Sequence, residues 1–221
     1  MKRLLMIVFF MYISTLLYPQ NYYKDTLKFE TKNVKCIYEY PVLKGEKYNI
    51  VNKQLKEKIF QMFENDYKNL CDLSKMDTFF SNITFYSELS CSIFSINDTF
   101  LSIRFYNESF SGGAHPSHNF FSYNYNFKLG REFEFKDYNV EKNALKKISE
   151  YCKKEIKKQL KEKNEQNIDF EIPANIETFK IFNINKNGIY FTFNEYEFLP
   201  YYLGSFSVFI PHNEFSKFIT K

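Results

Sequence analysis

Thr99-Phe-Leu-Ser-Ile-Arg-Phe-Tyr-Asn-Glu-Ser-Phe110, Ser111-Gly-Gly-Ala-His-Pro-Ser-His118 and Asn119-Phe-Phe-Ser-Tyr-Asn-Tyr-Asn-Phe-Lys-Leu129 follow one another without interruption. The outer two segments alternate aromatic or aliphatic with polar residues, the period of a half-buried strand. Two adjacent glycines free the connecting backbone, and Pro116 biases His115 toward an extended conformation. Two strands joined by a shaped loop are expected, and the loop gathers Ser111, His115 and His118.

On either side the periodicity changes. Lys32 to Val42 reads as a strand with Val34, Cys36, Tyr38 and Tyr40 on one side, closed by Pro41 and Lys44-Gly45-Glu46. From Asn49, a plausible cap, Val51, Leu55, Ile59, Met62, Phe63, Tyr67 and Leu70 recur every three or four residues, predicting a helix of about 22 residues. Phe79 to Ile96 alternates as one long or two short strands. A second helix is expected over Glu141 to Glu165, with Leu145, Ile148, Cys152, Ile156 and Leu160 as its core stripe. Phe179 to Ile184 and Ile189 to Phe193 flank Asn185-Lys186-Asn187-Gly188, a hairpin signal. A strand at Phe206 to Ile210 and a short helix over Pro211 to Phe218 complete the chain. The order gives an α+β fold: antiparallel sheets with two main amphipathic helices packed on them, in two intimately packed subdomains.

Composition narrows the function classes. The 221 residues hold 27 Phe and 18 Tyr but no Trp, material suited to sheet faces and core. Lys2 and Arg3 precede an apolar run from Leu4 to Tyr18, shorter than the roughly 20 residues of a membrane span, so residues 1–20 read as an export signal or short anchor. No cysteine follows this run until Cys36, which argues against lipid attachment at the mature end. A secreted, periplasmic or envelope location is expected, with membrane contact only through an uncleaved amino-terminal segment. The net charge is +4, and without Lys2 and Arg3 it is +2. The helix candidate Glu141 to Glu165 holds nine Lys and five Glu, a positive surplus read as a solvated face, so nucleic acid is not an expected partner. Cys36, Cys71, Cys91 and Cys152 permit two disulfides or none, and the absence of a C-x-x-C pair argues against a zinc ribbon.

Candidate chemistry lies in two places. Ser111 near His115 lacks the setting of a serine nucleophile. His115 and His118, three residues apart, would need a distant ligand such as Glu195, Glu197 or His212 to hold a metal. No residue is therefore assigned to catalysis, to a metal or to a cofactor; the bland role for His115 is to fix the loop through backbone hydrogen bonds. The second place is Tyr196 to Gly204, where Tyr196, Glu197, Tyr201 and Tyr202 around Pro200 would suit a contact surface, tyrosine being broad, rigid and polar at its tip. The alternative is an irregular crossing with its tyrosines packed inward.

The Ser111-Gly112-Gly113-Ala114-His115-Pro116 loop, the element from Asn126 to Gly130 followed by Phe133 to Tyr138, and Tyr196-Glu197-x-x-Pro200-Tyr201-x-x-Gly204 with Val208-x-Ile210-Pro211 resemble a bacterial domain family. It is the domain of unknown function that forms the extracellular part of RsiV-like anti-sigma factors and accompanies PdaC-like peptidoglycan deacetylases. Tyr40-Pro41-Val42 and Ile50-Val51-Asn52 look like the subdomain that precedes it there. The resemblance implies an amino-terminal PdaC-associated subdomain over 21–96 and an RsiV-like one over 97–221. It also implies a non-catalytic binding module for a protein such as lysozyme or for a cell-wall glycan. Ser111, Gly112, Gly113, His115, His118, Tyr196, Glu197 and Tyr201 are the expected ligand-binding residues. Only three residues precede the apolar run and the chain has no room for a deacetylase domain, so neither sigma-factor control nor deacetylation is expected. The competing expectations are a metal-dependent hydrolase or deacetylase using His115 and His118, and a structural envelope component.

Overall fold

The structure, a computed structural model, describes residues 21–76 and 83–219. The expected export segment and residues 79–82 of the strand region predicted over Phe79 to Ile96 lie outside them.

Strands β1 (Tyr22–Glu30), β2 (Val34–Leu43), β3 (Phe85–Ile96), β4 (Phe100–Phe110), β5 (Ser117–Asn126) and β6 (Arg131–Glu132) form one sheet in sequential order. Helix α1 (Asn49–Met76) connects β2 to β3, and because it crosses over one face of the sheet these two strands run parallel while every other neighbouring pair is antiparallel. Alternation explains the core: Tyr38, Tyr40, Leu89, Leu101, Ile103, Phe105, Tyr123 and Tyr125 all point to the side where α1 lays down Val51, Leu55, Ile59 and Phe63. Asn49 does not act as a cap. It already has helical angles and continues from a 3-10 turn at Glu46–Tyr48, while the Asn52 side chain accepts from the Leu43 N–H and donates to the Leu43 carbonyl, both at 2.9 Å.

The second lobe is a three-stranded antiparallel sheet of β7 (Phe182–Ile184), β8 (Gly188–Phe193) and β9 (Phe206–Pro211), covered by α2 (Lys142–Glu162) and α3 (His212–Ile219). The stripe Leu145, Ile148, Cys152, Ile156 and Leu160 is buried against Phe179, Phe182, Phe191, Val208, Ile210 and Phe215. The 185–188 hairpin forms as expected, but its glycine has a different task. The Asn185 side chain accepts from the Asn187 and Gly188 N–H groups, and a Cβ on Gly188 would fall 2.2 Å from the Ile210 carbonyl oxygen of the neighbouring strand.

The lobes join where β7 crosses the outer face of the first sheet. Ser102 is fully buried there: its hydroxyl donates to Asn124 Oδ1 at 2.7 Å and accepts from Asn183 Nδ2 and the Ile184 N–H, both at 3.0 Å, and Asn124 Nδ2 donates to the Phe182 carbonyl at 2.8 Å. Asn183 Oδ1 is buried there without a partner, but the paired groups set one register for the junction, since any shift would strand further buried donors. The 96/97 position falls in the β3–β4 turn, within a single sheet that runs on to Glu132. All four cysteines are free thiols, with Cys36 and Cys152 buried.

Candidate functional site

On β4 and β5 the residues that do not face α1 form the outer face, where Tyr106 pairs with Phe120 and Glu108 with His118. The 111–116 turn joins the two strands at this end, and within it Gly112 takes φ +90°, a region open to glycine, while Gly113 does not have a positive φ. From the second lobe, the segment after β8 arrives at the same place. Asn194 fixes it: its Oδ1 accepts from the Phe120 N–H at 2.7 Å and its Nδ2 donates to the Phe120 carbonyl at 3.1 Å, so one side-chain amide imitates a neighbouring strand on the open edge of β5.

The loop and the tyrosine crossing, more than 80 residues apart, thereby meet. His115 stacks on Tyr201 with centroids 3.7 Å apart and planes 21° apart. Around this pair the rings continue: Tyr106 to His118 at 6.1 Å, His118 to Tyr201 at 6.1 Å and Tyr196 to Tyr201 at 5.5 Å, all near parallel. The Tyr201 hydroxyl donates to the Pro116 carbonyl at 2.9 Å, and the Tyr196 hydroxyl lies 3.3 Å from His115 Nε2. Tyr196 is open to solvent, 66% exposed, and His115 is exposed as well. Tyr196 also has φ +62°, unusual for an aromatic residue and the mark of a turn held by its surroundings.

Two carboxylates flank the row. Glu195 accepts from His118 Nδ1 at 2.9 Å, and Glu108 accepts from the Tyr86 hydroxyl at 2.8 Å and, longer, from the Tyr106 hydroxyl at 3.4 Å. Burial first, then the nearby Glu108 charge, raises the Tyr106 phenol; burial first, then Glu195, raises that of Tyr201. Both hydroxyls stay neutral donors at physiological pH.

Of the expected site residues, His115, His118, Tyr196 and Tyr201 stand in the row and Gly112 shapes its turn, while Ser111 and Gly113 are exposed on the loop. Glu197 turns away: its carboxylate accepts from the Asn194 N–H at 2.9 Å, and packing against that turn raises its pKa although the residue as a whole is exposed. Tyr202 is 65% exposed with its hydroxyl 3.4 Å from Glu165. His212 lies apart, its Nε2 at 2.9 Å from the Asn185 carbonyl. Among the described residues no three His, Cys, Asp or Glu side chains converge as a metal site; the site offers ring faces, hydroxyl and imidazole donors, and carboxylate acceptors. Tyr106, Glu108 and Glu195 were not among the expected ligand-binding residues. The alternation of β4, which sets Tyr106 and Glu108 on the same face as His118, was a signal for the first two.

Comparisons with known proteins agree with this architecture. Residues 135–213 match the family described as "Protein of unknown function (DUF3298)" and residues 27–118 match "Deacetylase PdaC". No curated protein matches the chain. Among solved structures, a DUF3298 family member from Bacteroides fragilis superposes with a TM-score of 0.61 at 15% identity, covering 87% of this chain and 91% of that one. A DUF3298 family protein from Pseudomonas aeruginosa superposes at 0.62 with 11% identity, covering 89% and 93%. At such identities the likeness is one of fold, and it spans both lobes.

Proposed function

We propose that this chain is an exported, non-catalytic binding module of the bacterial envelope, and that its ligand is a cell-wall glycan gripped by the ring row. The observation that carries the reading is the 3.7 Å stacking of His115 on Tyr201, which joins the double-glycine loop and the tyrosine crossing into one partly open aromatic surface. Pyranose rings present flat C–H faces to such a row and hydroxyl donors to carboxylates placed like Glu108 and Glu195. The location rests on the charged start and apolar run at residues 2–18 and on the match to the PdaC family; among the described residues no helix is long and apolar enough to cross a membrane.

A second reading, a basic protein such as lysozyme, is favoured by the same two carboxylates, since an arginine or lysine can stack on a tyrosine while pairing with Glu108 or Glu195. Titration calorimetry with muramidase-solubilised wall fragments and with lysozyme, repeated with Tyr201→Ala and His115→Ala, separates the two. The glycan reading expects saturable binding of fragments, weakened about tenfold or more in both variants, as for an interface anchor residue. Fragment binding unchanged in both variants, or absent altogether, would remove it.

A further inference from the structure

Strand β5 has an unpaired edge, and a cleft opens beside it. The pair Tyr106 and Phe120 is one in which neither main chain bonds the other, because both polar groups of Phe120 turn outward to Asn194. In an antiparallel ladder the same holds for every second residue, so the main-chain N–H and carbonyl of Ser122 also turn to the open edge. β6 fills that edge only beside Tyr125 and Asn126, and its last strand-like bond runs from the Phe133 N–H to the Asn124 carbonyl at 2.8 Å. Beyond it the chain leaves into a 3-10 turn at Phe135–Tyr138, clipped by Arg131 on Asp137. Between the departing β6 and the Asn194 clamp lies a cavity of about 410 Å³, with Ser122 in its lining. Phe121, Phe135, Ile176 and Ile181 give it apolar walls, and Glu132, Glu134 and Glu177 outnumber Lys136 and Lys180 at its rim.

We infer that this cleft takes a short extended peptide that lies along β5 antiparallel to it, in the track β6 abandons, and exchanges two main-chain hydrogen bonds with Ser122. The residue opposite Ser122 points its side chain to the outer face, where the Ile176 and Ile181 segment of the second lobe stands, so an apolar side chain fits there. Its preceding neighbour points to the other face, the side of Glu132, whose carboxylate already accepts Lys58 at 2.7 Å from α1; with Lys58 counted the charges balance, so what that place selects is a side chain with an N–H donor for the carboxylate, such as lysine, over a second carboxylate. The volume lies in the usual range for small-ligand sites, about 300–1,000 Å³, and at about 3.3 Å per residue the open stretch holds three residues. Asn194 is the internal precedent, since its amide occupies the adjoining rung. This mode gives main-chain affinity with one or two side-chain pockets for selection, and it is separate from the ring row.

The test is titration of the 15N-labelled protein with acetyl-Lys-Val-Thr-amide, with the same peptide N-methylated on its valine, and with acetyl-Glu-Val-Thr-amide. Expected are saturable amide shifts centred on Ser122 and its flanks, binding at least about threefold weaker for the N-methylated peptide, which loses one donated hydrogen bond, and weaker binding of the glutamate peptide. Ile176→Glu should abolish the Ser122 shifts while leaving ligands of the ring row unaffected. Equal binding of the methylated peptide, shifts confined to Tyr106, His118 and Tyr201, or no saturation would overturn the inference, whatever the ring row binds.

Discussion

Asn194 is the residue on which lobe and site both hinge, and its replacement gives a worked test. Asn194→Ala deletes two hydrogen bonds of 2.7 and 3.1 Å to the Phe120 main chain. Each is worth about 0.5–1.5 kcal/mol net, and because Asn194 and Phe120 are only half-buried, water can reach the stranded groups, so a total of about 2 kcal/mol is expected. For a chain of this size that lowers the unfolding midpoint by about 4–8 °C, readable by far-UV circular dichroism. Asn194→Asp is sharper. Its carboxylate still accepts from the Phe120 N–H but sets a second oxygen against the Phe120 carbonyl, so the folded state favours the protonated acid and raises its pKa. The stability of this variant is then full below the unfolded pKa of an aspartate, about 3.9, and is lost as pH rises through the folded value. The gap between Asn194→Asp and wild type should widen from pH 4 to pH 7. A midpoint for Asn194→Ala within 1 °C of wild type, or an Asn194→Asp deficit independent of pH, would show that the amide clamp does not hold the lobes.

Three further outcomes follow from single features. The Asp137 carboxyl is held below the usual carboxylate range first by Arg131, which bonds it at 2.9 and 3.0 Å, and by the Glu134 N–H at 2.8 Å. A depressed folded pKa contributes stability above the unfolded value that is lost as pH falls through the folded one, so acid unfolding of Asp137→Asn should be shallower than wild type below about pH 4; identical acid profiles would contradict this. Gly188→Ala drives a methyl group into the Ile210 carbonyl and should cost about 1–3 kcal/mol in chemical denaturation, whereas a neutral result would mean β9 retreats freely. Tyr196→Asn removes a ring that is 66% exposed while placing at positive φ a residue that tolerates it, so relief of strain offsets the lost stacking; ligand affinity should fall with little movement of the melting midpoint, and an unchanged affinity would exclude Tyr196 from the contact.

The parts of the fold legible in the sequence are those in which burial and periodicity agree. The β4–β5 pair and the second helix lie within a few residues of their expected places, and the first helix starts at Asn49 as expected but runs 28 residues instead of about 22; Leu101, Ile103, Phe105 and the Val51 to Leu70 stripe made them legible because each set is turned to one face. β1 was not expected, and its burial pattern shows why: it is an edge strand whose Lys24, Thr26, Lys28 and Glu30 face water, while the other side carries the polar Asp25 beside Leu27 and Phe29, so its alternation carries little apolar signal. The parallel β2–β3 pair was equally hidden, since strand direction follows from where α1 packs and no residue encodes it locally.

The site divides in the same way. That the loop and the tyrosine crossing share one surface was readable only from their joint resemblance to a family, because the span from His115 to Tyr196 has no local periodicity to connect them. The exchange of Glu197 for Glu195 has a sharper cause. Simple alternation would put residues 195 and 197 on one side, equally available to His118. The left-handed turn at Tyr196 breaks that alternation, sending Glu195 to His118 and Glu197 back to its own main chain. An aromatic residue at positive φ is unfavourable by itself, so the turn persists because Asn194 anchors it on one side and the His115 and Tyr201 stack receives its ring on the other. The local signal of Tyr196 therefore points away from the conformation it adopts, and the conflict is resolved by contacts from the opposite lobe. A strained residue of that kind, with its ring open to solvent, is where a binding surface is to be sought.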